Sequence, residues 1–136
     1  MKSSKRMQQV IEKLARSAGV DLSQAGAHFT IYNEPFMRLA VERLDANRVS
    51  VAHYFEDQWG DLIQDPDVVF YTNVTGWYPY QIQDTLCFRN YADFDDEGHP
   101  KSYRPRGQAD LFSFCTLWAN NISRQGFYDA TDIRIA

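Results

Sequence analysis

The stretch FMRLAVERLDANRVSVAHYFE, residues 36–56, decides the fold of this chain. It holds two runs in which apolar and polar residues alternate, with a short polar turn at 45–47 between them. This alternation is the period of a half-buried β-strand. In the second run, His53 lies on the same side as Val49 and Val51. Because strands joined by so short a turn pair antiparallel, the stretch predicts a β-hairpin.

Further strands extend this hairpin in both directions along the chain. Pro79 lies inside one of them and has no N–H for the strand ladder, which predicts a sheet edge or a bulge at that point. Residues 93–107 are polar and rich in glycine and proline, so they are predicted to form a long loop. We therefore expect an antiparallel meander of five or six strands within residues 27–92. The additional expected strands are 28–32, 68–72, 77–84 and 86–91.

One helix is predicted before the sheet strands in the chain and a second one after them. Residues 1–19 carry an apolar stripe at helical spacing, with a serine to cap the start and Gly19 to end it. Residues 108–126 carry a second stripe that ends at Gly126. A helix buries such a stripe, so both helices are expected on one face of the sheet. The chain 1–136 is thus predicted to be a single α+β domain. The stripes are Met7, Val10, Ile11, Leu14, Ala15 and Ala18, and Leu111, Cys115, Trp118 and Ile122.

Length and composition limit the class of protein. The 136 residues match one domain of about 100–150 residues. With 44% hydrophobic and 24% charged residues, the chain is typical of soluble globular proteins and is too apolar for wholesale disorder. We recognise no signal peptide and no apolar run near 18 residues, so neither secretion nor membrane insertion is expected. Cys87 and Cys115 form no C-x-x-C motif, and we expect reduced thiols and a cytoplasmic location.

Acidic residues are concentrated in the middle of the chain. Residues 53–97 hold ten Asp or Glu and one Arg, a net charge of −9, while the whole chain carries −4. If several of these acids share one face, that face repels nucleic acid and attracts a basic partner. The alternative is that the aspartates shape turns, because their carboxylates bond to nearby backbone N–H groups. The turn-like stretches hold Asp57, Asp61, Asp65 and Asp95.

His53 and its acidic neighbours are the densest group of titratable residues. A metal site needs several ligands that converge on one point, and the spacing around His53 matches no known ligand pattern. A histidine that shares its face with valines is typical of a hydrogen-bonded core residue. Cys87 and Cys115 lie in apolar sequence, which predicts unreactive thiols. We therefore predict no catalytic residue, no metal and no cofactor, while a metal-dependent or two-carboxylate hydrolase stays open as an alternative.

Other residues are candidates for contact with a partner. An outward-facing Trp77 or Tyr80 beside Pro79 would be an anchor for a protein. The basic stretch 101–106 is able to hold phosphate, or to pair with the acids just before it. A nucleic-acid surface would consist of Lys2, Lys5, Arg6, Lys101, Arg104 and Arg106, but the net acidity of the chain argues against it. The residues predicted to contact a partner are Glu56, Asp57, Asp61, Trp77, Tyr80, Asp93, Asp95, Asp96 and Glu97.

The motif S-V-A-H-Y-x-E at 50–56, followed by G-D-L at 60–62 and D-P at 65–66, resembles an uncharacterised bacterial family. That family is a domain of unknown function found mainly in phage, plasmid and other mobile-element proteins. The G-W-Y-P sequence at 76–79 also fits it, and the resemblance extends from about residue 27 onward. It implies a genetic setting, and it implies neither an activity nor catalytic residues.

Together, these observations favour a small non-catalytic accessory protein that binds a basic protein partner. The resemblance suggests a host defence or replication protein as that partner. One form of this hypothesis is a DNA mimic, in which carboxylates on one exposed face imitate phosphates. The alternatives are a small hydrolase around His53 and a nucleic-acid-binding accessory protein. A second copy of the chain also stays open as a partner.

Overall fold

The computed structural model describes residues 1–135, which contain two α-helices, nine β-strands and one short 3-10 helix. The order helix, strands, helix confirms the predicted α+β class. The helices are α1 (Lys5–Ala18) and α2 (Pro105–Arg124), and the 3-10 helix is Phe127–Asp129. The strands are β1 (His28–Tyr32), β2 (Arg38–Asp45), β3 (Arg48–Glu56), β4 (Leu62–Asn73), β5 (Gly76–Gln83), β6 (Phe88–Asn90), β7 (Ala92–Phe94), β8 (Pro100–Tyr103) and β9 (Asp132–Arg134).

Seven strands form one antiparallel sheet in the order β6-β5-β4-β3-β2-β1-β9. The first six follow the chain as a meander, and β9 returns from the C-terminal end to pair with β1. The predicted central hairpin is confirmed, with Val41 opposite Val51. The predicted count of five or six strands was too low by one or two, because the three-residue β9 has too few residues to show a sequence period.

The apolar stripes of both helices pack on one face of this sheet. Met7, Ile11 and Leu14 of α1 share one buried cluster with Phe29 and Phe70 of the sheet. The stripe of α2 joins the same cluster through Leu111, Cys115, Trp118 and Ile122. The helix ends also follow the sequence signals. Ser4 caps α1, and Gly19 ends it in the left-handed conformation, with φ of 72°.

Residues 93–107 are not the long loop that their composition predicts. Strands β7 and β8 form a two-stranded ribbon, and Pro105 begins α2 three residues before the predicted start at 108. Pro105 is suited to the first turn of a helix, where its missing N–H costs nothing. The ribbon covers part of the sheet face opposite the helices, in a second cluster of Val69, Tyr71, Tyr80 and Ala92.

Three register shifts interrupt the seven-stranded sheet, and the first lies between Arg43 and Asp45 on β2. The second is on β5, where Tyr80 is the extra residue next to Pro79, whose missing N–H predicts an irregularity. The third lies at His53, since Ala52 pairs with Asp67 and Tyr54 pairs with Gln64. Two residues of β4 therefore lie opposite one residue of β3. Within residues 1–135, neither helix combines the length and the apolar character needed to cross a membrane.

Candidate functional site: the Trp59 end of the sheet

Three turns come together at one end of the sheet because the strands alternate in direction. They are residues 33–37, 57–61 and 84–87, and we call this end the Trp59 end. The turns at 46–47 and 74–75 lie at the opposite end. The three turns of the Trp59 end contain four Asp or Glu residues and no Lys or Arg. They also hold exposed apolar side chains, namely Phe36, Met37, Trp59 and Leu86.

The turn at 57–61 holds Trp59 out into solvent. The Asp57 carboxylate accepts hydrogen bonds from the backbone N–H groups of Trp59 and Asp61, at 2.9 and 3.0 Å. The Trp59 side chain is 77% exposed, and Leu62 beside it is 55% exposed. A large exposed aromatic side chain on a well-bonded turn, next to an exposed leucine, is typical of an interaction surface.

The bulge at His53 opens a cavity of about 240 Å³ beside this end. The turn 33–37 and helix α2 close it from the other side, and the Asn33 side-chain amide donates to the Gln125 carbonyl oxygen at 2.7 Å. Bulges are common next to binding sites, because they redirect a side chain out of the regular ladder. The lining consists of Phe36, Met37, His53, Asp65, Pro66, Trp118, Asn121 and Gln125.

His53 forms the inner wall of this cavity and is 7% exposed. Its Nδ1 atom lies 3.3 Å from the Arg38 carbonyl oxygen, and its ring centre lies 5.5 Å from that of Trp118 and 5.9 Å from that of Phe127. Burial among these rings lowers the pKa of His53 below its ordinary value. His53 is therefore a neutral, aromatic wall at pH 7.

Among residues 1–135, Asp65 alone brings a carboxylate to the cavity lining. Among residues 1–135, no ion pair within 4.0 Å involves this carboxylate. The nearby Arg38 is directed elsewhere, with its Nη2 3.3 Å from Glu56 Oε1 and its guanidinium over the Tyr32 ring. The cavity thus combines an unpaired negative charge with aromatic and aliphatic walls.

The predicted acidic residues form two separate groups. Glu56, Asp57 and Asp61 lie at the Trp59 end, while Asp95, Asp96 and Glu97 form the tip of the ribbon and border the turn that includes Asp45 and Arg48. These two ends are separated by the length of β3, nine residues, or about 26 Å at the usual strand rise. A DNA mimic needs its carboxylates on one face, so this arrangement gives that form of the hypothesis no support.

Several of the aspartates have a structural role in turns. Asp95 accepts from the backbone N–H groups of Glu97 and His99, both at 2.9 Å. Asp84 does the same for Leu86 and Cys87, at 2.8 and 2.7 Å. These bonds are those that the turn interpretation of the sequence predicts. They explain part of the acidic excess without a partner.

Trp77 and Tyr80 were predicted to be anchors only if they face outward, and neither of them does. Each is only 4% exposed. Trp77 packs against Phe70 below the helices, and Tyr80 packs against Phe94 of the ribbon, with ring centres 5.6 and 4.7 Å apart. The strand that carries them lies inside the sheet, with β6 beyond it. Both residues are therefore part of the core.

The basic residues predicted as a nucleic-acid surface lie in different elements: Lys5, Arg6 and Arg106 in the helices, Lys2 and Arg104 just before them, and Lys101 on β8. Arg6 donates to the Asn120 side chain at 2.8 Å, and Arg104 lies 3.4 Å from Asp93. The segments 2–18 and 105–124 together hold seven Lys or Arg and two Asp or Glu, a net charge of +5, so the rest of the chain carries −9. The helical layer is basic and the strands and turns are acidic, which orients a charged partner.

A half-buried carboxylate lies on the sheet face away from the helices. Asp67 accepts a hydrogen bond from Ser50 Oγ at 2.6 Å. Burial raises the pKa of Asp67 despite this bond, and the negative charge of Glu42 adds to the effect. Sequence reasoning placed Asp67 only among the acids of the middle segment, because its position beside Ser50 depends on the register of β3 and β4.

Residues 1–135 contain no arrangement of side chains suited to metal binding or to thiol chemistry. Among residues 1–135, no three His, Cys, Asp or Glu side chains are grouped so as to hold a metal ion. Cys115 is buried and Cys87 is exposed. Burial raises the pKa of the Cys115 thiol far above its ordinary value, which makes it unreactive.

Sequence reasoning missed most of the cavity. It named His53 and its acidic neighbours, but not Phe36, Met37, Asn121 or Gln125. These residues come from a turn and a helix about 85 positions apart, and no local spacing links them. The signal that could have helped is the position of Trp118 on the helical stripe, which directs it toward the same sheet face as His53.

Comparison with known proteins gives a family for the chain. No curated protein and no solved structure matches it. One family model does match, over residues 7–128, and this range includes α1 from its third residue, the whole of α2, all strands up to β8 and the His53 cavity. The chain therefore belongs to the family described as Domain of unknown function (DUF6908).

Proposed function

We propose that the protein is a non-catalytic accessory protein that binds a basic protein partner at the Trp59 end of its sheet. The observation that carries this proposal is the exposed Trp59, flanked by Leu62 and held on a turn whose acids have no basic neighbour within the turn. Interfaces are built around such aromatic anchors with a polar rim.

The distribution of charge supports a basic partner over a nucleic acid. The three turns of the Trp59 end carry four carboxylates and no cation, so they repel phosphate and attract lysine and arginine. The helical layer has the opposite sign and directs a basic partner away from itself, toward the strands. Such complementarity raises the association rate and falls off with added salt.

The mobile-element setting implied by the family resemblance supports a host protein as the partner. A defence or replication protein that handles nucleic acid has a basic surface, and the Trp59 end is complementary to such a surface. The protein would then act as an inhibitor or adaptor by occupying it. This role needs no catalytic group.

The test is a capture from nuclease-treated host lysate with three forms of the protein: wild type, Trp59→Ser and Val74→Ser. Val74 is fully exposed in the turn at the opposite end, so its replacement is the matched control. The proposal expects a basic protein that wild type and Val74→Ser retain in a 1:1 complex and that Trp59→Ser loses. Removing such an anchor costs about 2 kcal/mol or more, or about 30-fold in Kd.

Two results would overturn the proposal. The first is that Trp59→Ser retains the same proteins at the same level as wild type. The second is that Val74→Ser loses the partner as completely as Trp59→Ser does. Circular dichroism of each variant confirms that it is folded before capture. A purified partner then allows the salt dependence of binding to be measured, and binding should weaken as salt is added.

A further inference from the structure

We propose that the His53 cavity binds the cationic side chain of one lysine or arginine of a basic protein partner. This inference rests on the proposed function and specifies its chemistry. The cavity lies beside the Trp59 end, since Phe36 and Met37 of the turn 33–37 form one of its walls. A partner that contacts Trp59 is therefore able to place a side chain in it.

The walls suit a cation with an apolar stem. Trp118 and Phe36 supply aromatic rings, and Met37 and Pro66 supply aliphatic and thioether surface. The face of an aromatic ring attracts ammonium and guanidinium groups, most strongly when water is excluded. The methylene groups of lysine and arginine gain from the same apolar walls, because these side chains bury their stems and keep the charge at a polar site.

The charge inside the cavity selects a cation over an anion. Asp65 and His53 are the titratable side chains of the lining. His53 is neutral at pH 7 because burial lowers its pKa, so it does not repel a cation. The Asp65 carboxylate has no ion-pair partner among residues 1–135. The side-chain amides of Asn121 and Gln125 offer further oxygen acceptors.

The size of the cavity agrees with a single side chain. Its volume is about 240 Å³, and at about 30 Å³ for each water this space holds roughly eight waters. This space is large enough for one arginine side chain. A metal ion is a poor alternative, because one carboxylate and one histidine fall short of the ligand count that metals need in proteins.

The test uses small probes and needs no partner. Wild-type protein is titrated with the N-acetyl amides of arginine and lysine, and with that of citrulline, which is a neutral analogue of arginine. Two-dimensional NMR follows the indole N–H signal of Trp118, identified by its loss in Trp118→Phe. The inference expects a saturable shift with the arginine or the lysine probe, in the millimolar range, and at least tenfold weaker binding of citrulline.

Asp65→Asn is the informative variant, and Asp110→Asn is its control. Asp110 is an exposed acid of α2 and lies outside the cavity. Asp65→Asn should weaken probe binding at least fivefold in a protein with otherwise unchanged NMR signals, whereas Asp110→Asn should leave it unchanged. The inference is overturned if no probe gives a saturable shift, if citrulline binds as well as arginine, or if Asp65→Asn binds the probes like wild type.

The two proposals fail in different ways. If Trp59→Ser loses the partner while Asp65→Asn binds it as well as wild type does, the Trp59 end is the interface and the cavity inference is overturned. If Trp59→Ser keeps the partner, the proposed function is overturned, whatever the probes show. If Asp65→Asn weakens both the probes and the partner, the cation site is supported.

Discussion

Gly107 allows α2 to pack closely against the ring of Tyr91, and replacing it with alanine tests how tightly the two fit. Gly107 is the third residue of α2, and a methyl group there would overlap the ring carbons of Tyr91. Tyr91 connects β6 to the ribbon. Its backbone is fixed on both sides, since its N–H donates to the Tyr80 carbonyl at 2.7 Å and its carbonyl accepts from Arg104 at 2.8 Å. The overlap therefore has to be relieved by rotation of the ring or by a shift of α2.

Two opposing effects determine the size of the change in Gly107→Ala. Replacing glycine with alanine inside a helix stabilises it by about 1 kcal/mol. Inserting a methyl group into occupied space costs about 1–3 kcal/mol. We therefore expect Gly107→Ala to lower the free energy of unfolding by about 1 kcal/mol, or by about 3–5 °C in Tm for a chain of this length.

The assay is urea unfolding of four proteins: wild type, Gly107→Ala, Tyr91→Ala and the double variant. Without the tyrosine ring the overlap disappears, so Gly107→Ala should stabilise the Tyr91→Ala protein by about 1 kcal/mol. The sign of the glycine replacement thus reverses between the two backgrounds, with a coupling of about 2 kcal/mol. The reasoning is refuted if Gly107→Ala changes stability by the same amount in both backgrounds.

Four further predictions concern other parts of the molecule. Arg43→Lys should cost about 1–2 kcal/mol in urea unfolding, since a lysine replaces a guanidinium that donates to a loop carbonyl and a threonine hydroxyl, both at 2.7 Å; an unchanged midpoint would contradict this. The pKa of His53 is lower in the folded than in the unfolded protein, so stability should fall as pH drops from about 6.5, the unfolded pKa, and His53→Phe should remove that dependence. The pKa of Asp67 is raised in the folded protein, so the contribution of Asp67 to stability is most favourable at low pH and is lost as pH rises through the folded pKa. Asp67→Asn should therefore raise Tm at pH 7 and leave Tm unchanged in acid. A gain in Tm that persists in acid would be inconsistent with a buried carboxylate. A thiol reagent should label Cys87 in the folded protein and reach the buried Cys115 only in denaturant, which a count of modified thiols by mass spectrometry checks.

The two ends of the sheet show why a charge count along the chain is a weak guide to surfaces. The acids at 56–61 and those at 95–97 belong to the same acidic segment of the sequence. They lie far apart in space, because β3 separates the turns that carry them. Their carboxylates also differ in use, since Asp57 and Asp95 hold turns together while Asp61 faces solvent. The net charge of the segment counts all of these carboxylates equally.

The sequence by itself determined the elements whose signals are local. The alternation in 36–56, the stripe ending at Gly19 and the stripe through Trp118 predict the hairpin and both helices, because a strand or a helix exposes its periodicity in consecutive residues. They also determine the α+β class. The periodicity does not set the helix bounds, since α2 begins at Pro105, three residues before its predicted start, where the proline is compatible with a first helical turn.

Only the tertiary structure decided which of these elements meet. Trp77 is buried because the helices cover one face of β5, and Tyr80 is buried because the ribbon covers the other face. The sequence of β5 does not indicate either cover. The His53 cavity exists because a bulge in β4 and the last turns of α2 meet at one place, although they lie more than 50 residues apart in the chain. Contacts of this kind depend on strand register and helix packing, and these are set by the whole core at once.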